Sequence, residues 1–323
     1  MKNIGVFTSG GDAPGMNACV RAVVRSGLSL GLNVYGIRYG YNGMVHGDIS
    51  EMKSHSVSNI LQKGGTVLKS ARSEEFRTKE GRKKAYDELQ SRGIEGLVAI
   101  GGDGTFTGAN VFHEEFGIPV VGAPGTIDND LYGSDYTIGF DTAVNTALDA
   151  IDKIRDTAIS HDRVFFIEVM GRHSGHIAIH SGIGGGAELV MVPETSTTIQ
   201  DVIDTLNQGR DKEKTSAIII VAEGDEQGNA SEIAGKVKEK LPNLDIRVSM
   251  LGHLQRGGSP TSFDRTLAAR LGLAAVEGLV NGKTNVMAGI IDNKVVYTSL
   301  KLAISKSKPI DRELMRLVEV MNT

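Results

Sequence analysis

Two aspartates stand two residues apart in the stretch PGTIDND, at Asp128 and Asp130, directly after the short apolar run 119–123. On an extended backbone, side chains at i and i+2 share a face. Two carboxylates held that way repel, and folding gains nothing from them. One reading is a turn, because Asp, Asn and Gly dominate turns. The other is a general base with a second acid beside it, set to take a proton from an attacking hydroxyl. Two more loops bear on the choice. SGGDAPG follows the apolar run 4–8, and GGDGTFTG follows 97–100; each leads into a helical pattern. Glycine lets backbone N–H groups close on an anion, and the start of a helix adds partial positive charge. This is phosphate-binding chemistry. Neither loop is a Walker GxxxxGK[ST] or a dinucleotide GxGxxG motif, so a nicotinamide oxidoreductase lacks its fingerprint here.

Asp103 lies inside the second loop. A carboxylate beside phosphates repels them unless a cation intervenes, and Mg²⁺ takes one or two carboxylates together with phosphate oxygens. The competing reading of Asp103 is a helix N-cap. Between Asp103 and Asp128 the pattern holds one helix and one strand, hence one right-handed crossover. That puts both acids at the carboxyl edge of neighbouring parallel strands about 4.8 Å apart. Asp128 would then accept the proton of a hydroxyl attacking a γ-phosphorus, with Asp130 orienting it or holding metal. Arg72, Arg163, Arg172, Arg247 and Arg256 lie near strand ends or glycines. Guanidinium forks bind phosphate in bidentate fashion. Singly such arginines are ordinary surface residues; together they suggest a second phosphorylated ligand.

The elements that must carry these loops alternate. Strands are predicted at 4–8, 34–38, 97–100, 119–123, 164–169, 189–192, 217–222 and 248–251. Met16, Cys19, Val20, Val23 and Val24 make a helical stripe. The alternation predicts an α/β fold with parallel sheets covered on both faces. IGVFTSGGDAPGMNA and FFIEVMGRHSGHIA echo one another as strand, polar glycine loop and helix, and suggest two similar halves, the second starting near 140. The 323 residues suit two domains or one large one, and a net charge of -4 gives no basis for a nucleic-acid or anionic-membrane partner. The single cysteine, Cys19, allows no internal disulfide and fits a reducing cytosol. The opening apolar stretch is too short for a signal peptide, and no segment approaches the ~20 apolar residues of a membrane helix. A cytoplasmic location is expected.

TSGGDAPGMN, GGDGT, PGTIDND, EVMGRHSGH and LGHLQRGGSP, in this order, resemble the bacterial ATP-dependent 6-phosphofructokinases. The resemblance runs from about Ile4 to Arg270; residues beyond Asn281 are less distinctive. It implies two Rossmann-like three-layer lobes with mainly parallel sheets, 1–139 plus about 254–304 binding ATP and 140–253 plus about 305–323 binding sugar. It implies transfer of the γ-phosphoryl of MgATP to the 1-hydroxyl of fructose 6-phosphate, the committing step of glycolysis. Gly11, Tyr41, Arg72, Ser73, Gly102, Asp103, Gly104, Thr105 and Gly108 would serve ATP, Asp103 also serving Mg²⁺. Asp128 would be the base, with Thr126, Asp130 and Arg172 in the catalytic group. Ile127, Met170, Gly171, Glu223, His253, Leu254, Gln255 and Arg256 would join Thr126, Asp128 and Arg172 around the sugar phosphate. Arg163 and Arg247 would reach in from a neighbouring subunit of a homotetramer.

The resemblance also implies an effector site for ADP or phosphoenolpyruvate. Arg21, Val24, Arg25, Arg155, Gly186, Ala187, Glu188, Lys212, Lys214, Thr215 and Ser216 match it. Arg21 and Arg25 are i, i+4 neighbours placed opposite the apolar stripe. A further arginine is missing before SVS, where Lys53, Ser54 and His55 stand. An ammonium does not replace a guanidinium fork, so weak coupling is expected. Pyrophosphate-using relatives typically carry Asp at 104 and Lys at 125, whereas both are Gly here. NAD kinases and lipid kinases share GGDGT but lack PGTIDND and HLQRGG. A non-catalytic nucleotide sensor should have lost Asp103 or Asp128, and both are present.

Overall fold

The computed structural model describes residues 1–321. Residues 322–323, assigned above to the sugar-binding lobe, lie outside the described residues. The strands are β1 (Asn3–Thr8), β2 (Asn33–Ile37), β3 (Ile49–Met52), β4 (Gly96–Gly101), β5 (Val120–Pro124), β6 (Val164–Val169), β7 (Leu189–Met191), β8 (Ala217–Ala222), β9 (Ile246–Met250), β10 (Val286–Ile291) and β11 (Lys294–Ser299). The helices are α1 (Met16–Ser29), α2 (Gly40–Val45), α3 (Lys79–Ser91), α4 (Asp103–Phe116), α5 (Phe140–Ser160), α6 (His176–Gly185), α7 (Ile199–Asp211), α8 (Ala230–Lys240), α9 (Ser262–Val280), α10 (Leu300–Ser305) and α11 (Arg312–Met321). The chain divides into two compact units, 1–127 with 131–142 and 256–308, and 128–130 with 143–255 and 309–323.

The first unit is built on a seven-stranded sheet in the order β11-β10-β5-β4-β1-β2-β3. Its five inner strands are parallel, and β3 and β11 close the edges antiparallel. Alternate residues of each strand feed opposite faces. Phe7, Ile37, Leu97, Ala99 and Val120 join a core with Met44, Leu89, Phe106 and Phe112 from the side of α2, α3 and α4. On the other face α1 packs on α9, with Gly27 of α1 set against Val34 and Ile4. The connections from β1 to β2 and from β4 to β5 diverge, which makes the gap between β1 and β4 a topological switch point, where open α/β sheets bind ligands.

The second unit carries a four-stranded, wholly parallel sheet in the order β7-β8-β6-β9. Phe166, Ile219 and Val221 pack with Val202 and Leu206 of α7 and Ile233 and Val237 of α8. The parallel two-sheet expectation holds, as does the helix over the Met16–Val24 stripe. Three strands were missed. β3 is short and half exposed. β10 and β11 form a hairpin whose turn residues Asp292 and Asn293 both have positive φ; Asp-Asn between two apolar runs is a legible hairpin signal. The stretch after 281 therefore completes the first sheet.

One local expectation fails. PGTIDND is not extended, because Asn129 has φ 54° and is buried. Asn tolerates this left-handed conformation better than most residues. The chain bends between the two aspartates, and the shared-face argument for Asp128 and Asp130 does not apply.

Candidate active site

In the first unit three loops meet at the carboxyl edge of the sheet. Ser9 N donates to Ile100 O at 3.0 Å, and Gly125 N to Gly101 O at 2.9 Å. Ser70 Oγ donates to Gly10 O at 2.8 Å. Gly10 has φ 83°, open to glycine at no steric cost. Gly102 occupies the N-cap position of α4 and Asp103 is the first helical residue, so the N-cap reading of Asp103 is set aside. Its carboxylate is exposed and makes no ion pair among the described residues. A Cβ on Gly104 would meet nothing within 4 Å. The start of α4 at Gly104 therefore borders open space beside an uncommitted acid.

Behind this edge the loop is rigid. Tyr41 Oη donates to Thr105 O at 2.5 Å, and the Tyr41 ring stacks on Phe76 at 4.1 Å. Burial pushes the Tyr41 phenol far above its ordinary pKa, so it stays a donor. A Cβ on Gly108 would come within 2.9 Å of that ring. The Thr105 hydroxyl is buried with no partner among the described residues. Arg72 is exposed, while Ser73 Oγ is committed to Phe76 N at 3.2 Å. Arg256, expected among the sugar residues, instead belongs to the first unit. Its Nη1 donates to Asp12 O at 3.2 Å and lies over Gly11.

The chain passes from the first unit to the second between Ile127 and Asp128. Asp128 is 3% exposed, and its carboxylate faces Arg172 Nε at 3.9 Å. Ser174 Oγ donates to Asp128 O at 3.1 Å. Arg172 sits at φ 55°, a strained position for a residue with a side chain. It is held there by its N–H, which donates to Glu223 Oε1 at 2.8 Å. Gly171 and Gly224 are close-approach glycines, since a Cβ on either would overlap the backbone carbonyl of Ser174 or Arg172. Met170 N donates to the buried Gln255 at 3.3 Å, so Gln255 supports the loop while His253 and Leu254 are exposed. Asp128, Met170, Gly171, Arg172, Glu223 and Gln255 thus form one connected set.

Arg163 and Arg247 are not in it. Both bind Asp245, Arg163 Nε at 2.8 Å and Arg247 Nη2 at 3.1 Å. Arg247 pairs with Phe165 at the amino end of β6, whereas Met170 follows its carboxyl end. A six-residue strand spans about 20 Å.

Residues 3–279 match the family described as Phosphofructokinase. The ATP-dependent 6-phosphofructokinase of Cytophaga hutchinsonii is 63% identical over 322 residues, 100% of this chain and 98% of its own length. This chain belongs to the phosphofructokinase family. The ATP-dependent 6-phosphofructokinase 1 of Thermus thermophilus is 59% identical over 99% of both chains. The structure of phosphofructokinase from Saccharomyces cerevisiae superposes with TM-score 0.89 at 35% identity. It covers 100% of this chain and 47% of the yeast one, so this chain spans about half the yeast length. A pyrophosphate-dependent phosphofructokinase from Marinobacter aquaeolei shares the fold, with TM-score 0.84 at 22% identity over 97% of this chain and 86% of its own.

Of the residues singled out for an effector, Arg21, Val24 and Arg25 belong to this phosphofructokinase's first unit and the others to its second. Val24 is wholly buried in the α1 stripe, so it offers a ligand no side chain. Arg155 Nη2 donates to Gly186 O at 2.6 Å, and Glu188 accepts Ile218 N at 2.7 Å. Glu188, Lys214, Thr215 and Ser216 line a cavity of about 360 Å³, and Lys212 with Lys214 a second of about 250 Å³. Ala187 is buried beside them. Sequence reasoning missed Asn17, which ties α1 to residues 63–67 through three hydrogen bonds, and the buried Asp264. For Asp264 a signal existed, in the Thr261–Asp264 spacing of a helix cap.

The open space at Gly104 makes it a clean probe of the loop. Gly104→Asp puts a carboxylate before the helix N-terminus without a clash, and should unfold at nearly the wild-type temperature. Its affinity for MgATP by calorimetry should fall at least tenfold, about 1.4 kcal/mol. Equal loss of thermal stability would mean that Gly104 serves the backbone alone.

Proposed function

We propose that this phosphofructokinase transfers the γ-phosphoryl group of MgATP to the 1-hydroxyl of fructose 6-phosphate, giving fructose 1,6-bisphosphate and ADP. The observation that carries the reading is the register of β4 against β5. It pairs Gly101 with Pro124, so the GGDGT loop and the acid-bearing loop leave the sheet side by side. Asp128 follows within four residues of that pairing. Full-length likeness to proteins named ATP-dependent supports the same donor.

Each step is derived from the chain's own groups. The loop amides of Gly11 and of Gly102 to Gly104, with the Thr105 hydroxyl and the α4 dipole, take the polyphosphate. Arg72 adds a fork from the rim, and Tyr41, packed against Gly108, braces the loop from behind. Asp103 fits Mg²⁺: it is exposed, unpaired and next to open loop space, and no cluster of three acids or histidines competes among the described residues. Mg²⁺ held there would neutralise charge on the phosphates. Asp128 accepts the proton of the 1-hydroxyl as it attacks, and Arg172 beside it meets developing negative charge. Thr126 and Asp130 flank the base. Glu223, His253 and the 170–172 loop receive the sugar. Gly104 and Gly125 favour ATP over pyrophosphate: Gly104 admits the nucleotide, and a Cβ on Gly125 would already stand 3.1 Å from Ile100 and Met16. A cytoplasmic location accompanies this reading.

The strand geometry favours an oligomeric site. Arg163 and Arg247 stand about one strand length from Arg172, too far for side chains of one chain to share a phosphate. We infer a homotetramer in which this pair serves a neighbour. ADP and phosphoenolpyruvate are the effectors we assign to the Glu188–Lys214 cavity, with weak coupling where Lys53 stands.

Three measurements test these readings. A coupled assay should show ADP release that depends on fructose 6-phosphate, and Asp128→Asn should lose at least about 100-fold in kcat with little change in ATP affinity; a variant keeping half its kcat removes Asp128 from the role. Arg163→Ser should raise KM for fructose 6-phosphate, and mixing it with Asp128→Asn should restore activity in hybrid oligomers. No recovery after verified exchange argues for a site within one chain. Millimolar ADP or phosphoenolpyruvate should move half-saturation by less than roughly tenfold; a larger shift overturns weak coupling.

A further inference from the structure

The reaction leaves one buried acid unused. Asp264, in the first turn of α9, is 0% exposed. Its Oδ1 accepts Gly139 N at 2.8 Å. Its Oδ2 accepts Thr142 N at 2.8 Å and Thr142 Oγ1 at 2.5 Å. Burial pushes its carboxyl up to about 6, so it is largely ionised at neutral pH. The cap is reciprocal: Thr261, the N-cap of α9, gives its hydroxyl to Asp141 at 2.6 Å and its N–H to Thr142 Oγ1 at 3.1 Å. Two helix starts, each of positive character, therefore face one another across two carboxylates.

What the carboxylate holds is a strap, residues 137–142, that touches both functional loops. On one side Thr137 Oγ1 donates to Thr126 O at 2.6 Å, and Ile138 N to Pro124 O at 2.9 Å. On the other side a Cβ on Gly139 would come 2.7 Å from Ala13, and a Cβ on Gly15 would come 2.6 Å from Ile138. The strap backbone thus lies flat against SGGDAPG and, through Pro124 and Thr126, against the loop that ends in the base. No other side chain accepts from the backbone N–H of both Gly139 and Thr142 among the hydrogen bonds of the described residues.

We propose that Asp264 is a positioning residue for phosphoryl transfer, pinning the 137–142 strap and so fixing the register of Thr126, two residues before Asp128, against the first glycine loop. This inference rests on the proposed reaction only for its kinetic consequence. An amide at 264 accepts through one oxygen and turns its NH₂ toward a donor, leaving one strap N–H unmet. Displacements of about 1 Å remote from the chemistry cost up to ~100-fold in rate.

The experiment compares wild type, Asp264→Asn and Thr142→Val, which removes one donor and keeps the carboxylate. Each is measured for kcat per nucleotide-binding site, for KM of both substrates, and for amide hydrogen exchange. Asp264→Asn should lose roughly 10- to 100-fold in kcat with KM for ATP within about threefold. Thr142→Val should lose less in the same direction. Exchange should quicken in peptides covering 124–130 and 9–15 as well as 137–142. If wild type lacks the reaction, the proposed function fails, and the exchange pattern still decides the strap. Quickened exchange confined to the first turn of α5, with kcat per binding site unchanged in both variants, overturns the inference and leaves Asp264 a helix cap. Should Asp264→Asn not fold, Thr142→Val carries both readouts.

Discussion

Where β1, β4 and β5 end, three loops are stitched edge to edge by backbone hydrogen bonds, from Ser9 to Ile100 and from Gly125 to Gly101. Parallel strands leave their last amides and carbonyls to the loops that follow, and buried polar backbone must find partners. Here the loops satisfy one another. That constraint admits almost no side chain. A Cβ on Gly101 would overlap Ser9 O and the Thr105 hydroxyl, and one on Gly125 would press on Ile100. The glycines are thus demanded by packing as well as by any phosphate. Gly104 alone among these faces open space, which separates the structural glycines from the one that leaves room for a ligand.

The acids gain their character from placement rather than from mutual proximity. Asp103 leads a helix and faces outward. Asp128 is buried and looks toward an arginine whose backbone is held in a left-handed conformation. Such a conformation costs about 1–3 kcal/mol and persists only where neighbours over-determine it. Glu223 and the close approach of Gly224 supply that restraint. The strained arginine and the buried Asp128 are therefore one connected arrangement, and neither is an accident of a turn.

A strand's length decides the other half of the chemistry. β6 carries Arg163 before its first residue and the 170–172 loop after its last. Parallel pairing of β6 with β9 then puts Arg247 at the Arg163 end. Asp245 between them keeps the two guanidinium groups together in spite of their like charge. Partly exposed pairs of this kind contribute little to stability, so the arrangement is not explained by what it adds to folding.

The sequence by itself determined the fold class and the order of the glycine loops. Strand–helix alternation and glycine after strands are local properties, readable in a window of ten residues. It determined the family for the same reason, through five short motifs. Of the hairpin after 281 it showed only the Asp292–Asn293 turn, because β10 is interrupted by Gly289 and β11 has no buried residue to set an apolar pattern. Only the tertiary structure decided that Asn129 turns the chain between Asp128 and Asp130, because a left-handed residue depends on what surrounds it. Only the fold separated Arg163 and Arg247 from Arg172, moved Arg256 onto the first glycine loop, and set Asp264 under the strap 122 residues away from Thr142. Those are long-range packing outcomes, and no periodicity in the chain records them.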